Sequence, residues 1–283
     1  MEVEAFQRLD PENFYRKFVK NGVRPDGRGL RSVRPISVDV GVLSEERVQA
    51  SCLVGIGSTK VLAGITLQVG QPNESTPMCG MLDVEVKLSP LSSSKFGPGR
   101  PSEQAQVLAT FIKTSVVESG ALVLTDLGID DGCFAWKLCM DIVCLSFDGN
   151  LADAALVAAM GSLMRLTLPG TRRTGDEIFV TEGEGLDTPT TLVLRHVPLP
   201  LTCGVFDGTI ITDPSLLEEE LWTTHVTVVS TAEGKVCGVH KPGGSCASGE
   251  QLNECLQLCQ QHAEALVQTL KAAAVQPRNG SVA

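Results

Sequence analysis

Twice along its length this chain strings together short apolar runs with period-two alternation and then closes on a helical segment. That repeat most limits the folds open to it. In the first half Ile36, Val38 and Val40 form one strand, Cys52-Leu-Val54 part of a second, and Lys60 to Leu67 a third. Met81 to Ser89 alternates cleanly: Leu82, Val84, Val86 and Leu88 share one face and Asp83, Glu85 and Lys87 the other, which predicts a strand with one wet side. A helix is expected from Ser102, with Leu108, Phe111 and Ile112 turned inward. Cys133 to Phe147 then reads as a long apolar strand. Asp148-Gly149 turns the chain into Leu151–Leu166, where apolar residues lie nearly all round, the pattern of a buried helix.

The second half repeats the plan. Residues 170–189 hold glycines and mixed charges with few apolar residues beyond Ile178-Phe-Val180, and mark the boundary between two subdomains. Strands are expected near Thr191–Val197, Gly204–Phe206, Thr209–Thr212, His225–Val229 and Lys235–Val239. Ser248 with Gln251 makes a capping box, and Leu252, Cys255, Leu256, Cys259, Ala263, Leu266, Val267 and Leu270 recur at helical spacing behind it. Ahead of both halves, Asp10-Pro11 starts a short helix with Phe14, Phe18 and Val19 on its apolar face, Gly22 stops it, and Arg24-Pro-Asp-Gly-Arg28 is a turn. The pattern predicts an α/β protein in two halves.

With 283 residues, 43% hydrophobic and 20% charged, such a chain has ample core and is not a disordered polymer. Its net charge of −10 argues against gripping nucleic acid alone by neutralising phosphates. The ten cysteines include no Cys-x-x-Cys pair and lie mostly in apolar runs, so reduced core thiols in cytosol or nucleus are expected. Met1 to Leu9 is acidic and lacks an apolar segment, so no signal peptide is read there, and no apolar run reaches the roughly 18 residues of a membrane span. The expectation is a soluble intracellular protein.

Few residues advertise chemistry. Glu218, Glu219 and Glu220 sit between two strand-like runs, as an acid/base or metal site or as a solvated connection. Gly55-Ile-Gly-Ser-Thr-Lys60 lacks the spacing of a phosphate loop and reads as a strand-to-strand turn. Lys241-Pro-Gly-Gly-Ser245 reads as a plain turn into the last helix, although its amides could hold an anion. The histidines at 196, 225, 240 and 262 show no metal-ligand spacing with each other or with cysteine, and Cys255 and Cys259 share a helix face without a second ligand pair. Two basic clusters, Arg28/Arg31/Arg34 and Lys87/Lys95/Arg100, are candidate phosphate contacts or ordinary solvated surface.

Taken together, Arg24-Pro-Asp-Gly-Arg28, Gly57-Ser-Thr-Lys-Val61, Asp141 to Asn150, Asp213-Pro-Ser-Leu-Leu-Glu-Glu-Glu220 and His240-Lys-Pro-Gly-Gly-Ser245 resemble the RNase PH family, and within it the ring subunits of the eukaryotic RNA exosome. The likeness spans roughly residues 10 to 272. It implies an α/β (α+β) RNase PH-like two-layer fold with two subdomains. The layout would be an N-terminal helix and turn in 1–30, subdomain 1 in 31–169, a linker in 170–190, subdomain 2 with its helix in 191–274 and a tail in 275–283.

Active members of that family cleave RNA from its 3′ end with inorganic phosphate, using a Gly-Thr-Arg phosphate cradle after the long strand and two aspartates six positions apart. Aligned on Asp148, the cradle falls on Asn150-Leu151-Ala152, with no cation and with Asp153 adjacent. The aspartates fall on Glu219 and His225, and histidine is not a carboxylate ligand for a hard metal. The resemblance therefore implies a catalytically silent ring subunit with no catalytic residue, cofactor or metal. Its implied partners are other RNase PH-like ring subunits (a ribosomal RNA-processing protein 46 type neighbour), a cap subunit with RNA-binding folds, and single-stranded RNA passing through the assembled channel, in nucleus, nucleolus and cytoplasm. Lys95 and Arg100 are its RNA-contact candidates. Two alternatives stay open: an active phosphate-dependent 3′ exoribonuclease using Glu218 to Glu220, and a sister silent subunit with other partners.

Overall fold

A computed structural model describes residues 7–43, 48–72, 76, 78–99, 102–129, 133–174, 177–180, 190–222 and 224–275. Short helix α1 (Pro11–Lys20) opens the chain, with Asp10 accepting the Asn13 amide at its N-cap as the Asp-Pro pair predicts. The first half forms a mixed sheet of β1 (Ile36–Val40), β2 (Ala50–Ile56), β3 (Thr59–Gly70), β4 (Met81–Leu88), β5 (Gly128–Ile129) and β6 (Phe134–Ser146), in the order β1-β2-β3-β6-β4 with β5 beside β6. All its ladders are antiparallel except β4 with β6. A parallel neighbour needs a long crossover, and α2 (Glu103–Val117), capped by Ser102, lies on that connection and packs back on β4. On β4, Leu82 and Val86 are buried while Asp83, Glu85 and Lys87 are exposed, so the expected wet side exists. Lys87 there pairs with Asp141 at 2.6 Å across the parallel ladder.

Helix α3 (Leu151–Arg165) follows the long strand β6. Twelve of its fifteen residues are buried, as its apolar circumference predicts, because it serves two sheets at once. It rests on β1, β2 and β3 of the first sheet and on β11 (Leu199–Phe206) of the second. The second sheet is antiparallel in the order β12-β11-β13-β14, with β12 at Thr209–Thr212, β13 at Thr224–Ser230 and β14 at Val236–His240. Leu201, Cys203, Val226 and Val228 point to the long last helix α5 (Gly249–Val275), where they meet Cys255 and Cys259. The capping box is present in both directions, with the Ser248 amide donating to Gln251 and the Gln251 amide to Ser248. Short helix α4 (Leu216–Leu221) links β12 to β13.

Three expectations need adjustment. The strand expected at Thr191–Val197 is only β10 (Thr190–Thr191), paired with β7 (Thr167–Leu168). Beyond it the Leu192 amide donates to Leu166 and the Arg195 amide to Ala121, so the segment is held by loops instead of a ladder. The strand expected at Gly204–Phe206 begins five residues earlier despite Pro200. That proline is tolerated because β12 reaches back only to Cys203, so on that side no partner is waiting for an amide. Within the boundary segment, β8 (Thr171–Thr174) and β9 (Glu177–Val180) pair as a two-stranded ladder. All ten cysteines are free, five of them buried. Among the described residues no helix is long and apolar enough to cross a membrane.

Helix α1 closes the other face of the second sheet, where Phe14 and Tyr15 join Phe206, Ile211 and Trp222 in a separate cluster. Trp222 lies flat on Gly204: a Cβ there would sit 2.0 Å from the indole Cε3. Gly204→Ala therefore overpacks a closed cluster and is expected to cost about 2–3 kcal/mol in chemical denaturation. Gly238→Ala, where a Cβ meets nothing within 4 Å, is expected to leave the midpoint nearly unchanged.

Candidate functional site

The three consecutive glutamates have three different environments, which overturns their reading as one solvated connection. Helix α4 turns them 100° apart. Glu218 faces inward, 2% exposed, and closes a capping box with Ser215 at the start of α4. It also receives both ends of the Arg24 guanidinium: Nε donates at 2.9 Å and Nη2 makes a shorter contact. Arg24, itself 1% exposed, donates further to the carbonyls of Thr212 and Asp213 at 2.8 Å each. Glu220 points outward and pairs with Lys95 at 2.6 Å. Glu219 lies between them, facing the turn that begins α3.

That turn is held by Asp213, which is fully buried and sits at φ +51°. Its Oδ2 accepts the Arg34 amide at 2.7 Å, Arg34 Nε at 2.9 Å and Arg28 Nη1 at 2.9 Å. Its Oδ1 accepts Arg34 Nη2 at 2.8 Å and Asn150 Nδ2 at 2.7 Å. Burial alone would raise this carboxyl, but the Arg34 hydrogen bonds and charge outweigh it and hold Asp213 below the usual range. Two members of the basic cluster suggested as a phosphate contact are spent inside the protein, where Arg28 and Arg34 clasp buried Asp213, while Arg31 stays on the surface and pairs with Glu254 on α5. Arg28 and Arg34 turn inward because a buried carboxylate from the second half is waiting there.

Asn150 takes a left-handed conformation, φ +56°, ahead of α3, and Gly149 before it leaves no room for a side chain, since a Cβ would lie 2.5 Å from the Leu216 amide nitrogen. The Asn150 amide donates to Glu219 Oε1 at 2.6 Å. Its side-chain amide donates to both Asp213 and Asp153, so its Oδ1, buried at 1% exposure, is the end left without a partner. Asp153 accepts the Thr202 amide at 2.9 Å and hydroxyl at 2.7 Å, and burial raises it to about 6. Burial likewise lifts Glu219 to about 7, against the Asn150 amide and the charges of Lys95 and Arg34, which pull it down. His225 Nε2 meets the Glu219 carbonyl at 3.2 Å, and burial keeps His225 and His240 below the ordinary histidine value.

These groups surround a cavity of about 370 Å³. Asn150, Leu151 and Ala152 form one wall, Glu219, Glu220 and His225 another, and Val107, Leu108, Phe111, Phe147 and Pro242 supply apolar surface, with His240 packed on Phe111. The positions aligned with a phosphate cradle and an acid pair are therefore brought together, although 69 residues separate Asn150 from Glu219. Lys95 stands at the mouth, paired with Glu220. Arg100, the other RNA-contact candidate, lies outside the described residues. The described residues contain no cluster of three or more groups able to hold a metal ion. The sequence had not signalled Thr202 or the apolar wall from α2 as parts of this cavity. Asp153, named beside the aligned cradle, lies behind the wall and holds Thr202.

Two outcomes follow. Glu218→Gln leaves the Arg24 charge buried without its counter-ion and is expected to cost about 3–5 kcal/mol of unfolding free energy, measured by denaturant titration. Glu219 is a carboxyl whose folded value lies above its ordinary one, so between roughly pH 4.5 and 7 the folded state holds the proton and the unfolded state does not. Stability from this group is full below that window and is lost as pH rises through it. Glu219→Gln removes the penalty while keeping an acceptor for the Asn150 amide. It is expected to be more stable than the parent by on the order of 1–3 kcal/mol at pH 8, with the difference vanishing near pH 4.

Comparison with known proteins places this geometry in a family. Models of the 3′ exoribonuclease family match residues 32–169 as its domain 1 and residues 196–261 as its domain 2. The chain is 34% identical over 250 residues to the exosome complex component Rrp42 of Methanocella arvoryzae, covering 88% of this chain and 91% of that protein. It is 35% identical over 234 residues to the Rrp42 component of Pyrococcus abyssi, covering 83% and 84%. Its fold superposes with a TM-score of 0.80 on a chain of the Archaeoglobus fulgidus exosome solved with RNA bound to the active site, at 28% identity and covering 91% of this chain and 96% of that one. A two-domain α/β fold matched along both halves, with relatives spanning nearly the whole length, establishes that the chain belongs to the RNase PH family of 3′ exoribonucleases.

Proposed function

We propose that this chain is a catalytically inactive structural subunit of an RNA exosome core ring, of the ribosomal RNA-processing protein 43 type. Its ring membership is supported by relatives named as exosome components over more than four-fifths of the chain. The subunit type rests on Pro98 to Val107, Trp136 in the long strand and the His240-Lys-Pro-Gly-Gly-Ser245 turn. In that role it sits beside another RNase PH-like subunit (ribosomal RNA-processing protein 46 type), contacts a cap subunit with RNA-binding folds, and helps shape the channel through which single-stranded RNA reaches a separate nuclease. It thereby supports rRNA maturation and mRNA turnover in nucleus, nucleolus and cytoplasm.

The observation that carries the inactivity is the cavity's polar lining. Phosphorolysis depends on holding an inorganic phosphate in line with the RNA, and that requires positive charge or clustered donors. Where the family holds phosphate, this chain offers Asn150, Leu151 and Ala152, and the Asn150 amide already donates to Glu219. The one described cation of the lining, Lys95, is engaged by Glu220. Phosphate would enter beside Glu219 and Glu220.

One observation favours the rival enzymatic reading: Glu219 titrates near 7, a value suited to proton transfer at neutral pH. An acid without a bound nucleophile does no phosphorolysis, so the scaffold reading stands ahead. Incubating single-stranded RNA and inorganic phosphate with the purified chain, and with a ring reconstituted around it, is expected to show no nucleoside diphosphate release attributable to this chain. Phosphate-dependent release that Glu219→Gln abolishes would sink the proposal.

A further inference from the structure

We draw no further inference here: the strongest candidate, the groove of about 520 Å³ between α2 and the open edge of β14, lined by Val107, Phe111, Thr114, Cys237 and Val239, carries nothing because no part of the structure shows what covers it.

Discussion

A buried carboxylate cannot stay ionised without compensation, and Asp213 obtains its compensation from residues far away in the chain. Arg28 and Arg34 come from the turn before the first sheet, Asn150 from the start of α3, and the carboxylate itself from the end of β12. Arg24 and Glu218 extend the same cluster by one more pair. Hydrogen bonds to charged groups contribute roughly 1.5–3 kcal/mol each, but the greater effect here is on geometry. Three segments separated by more than sixty residues must meet at fixed angles before the charges are satisfied, and the cavity wall is part of what they fix. The Arg24–Asp213 neighbourhood therefore belongs to the architecture of the site although none of these charged side chains enters the cavity.

The cavity's polar groups are defined by burial and by each other. The Asn150 amide is engaged by Glu219, burial raises the Glu219 carboxyl to about 7, and burial holds the His225 imidazole below its ordinary value.

Much of this was legible beforehand because it follows from periodicity and capping. The alternation of Met81–Leu88, the apolar circumference of Leu151–Arg165 and the Ser248/Gln251 box each have a local cause, and each appears where expected. The strand containing Pro200 and the loop at 192–197 were not legible, since both depend on which side of a strand happens to lack a partner. Side-chain fates were the hardest to read. Three adjacent glutamates look alike in sequence, and three arginines look like an RNA-facing patch, until α4 rotates one glutamate inward and Asp213 draws two of the arginines after it. Alignment named Asn150, Glu219 and His225 one by one as departures from the family pattern; it could not foresee the orphaned Asn150 oxygen, because that depends on Asp153 and Asp213 both claiming the other end of the amide.

Helix α3 carries one further implication. Two family models divide the chain into domains, yet this helix is covered on one side by β1, β2 and β3 and on another by β11, and most of its surface is apolar. Cut between the models, the first fragment would expose the apolar stripe that β11 covers, and the second would lose the floor on which its sheet is laid. The boundary is evolutionary bookkeeping. In thermodynamic terms the halves share one core helix, which couples the unfolding of one to the other.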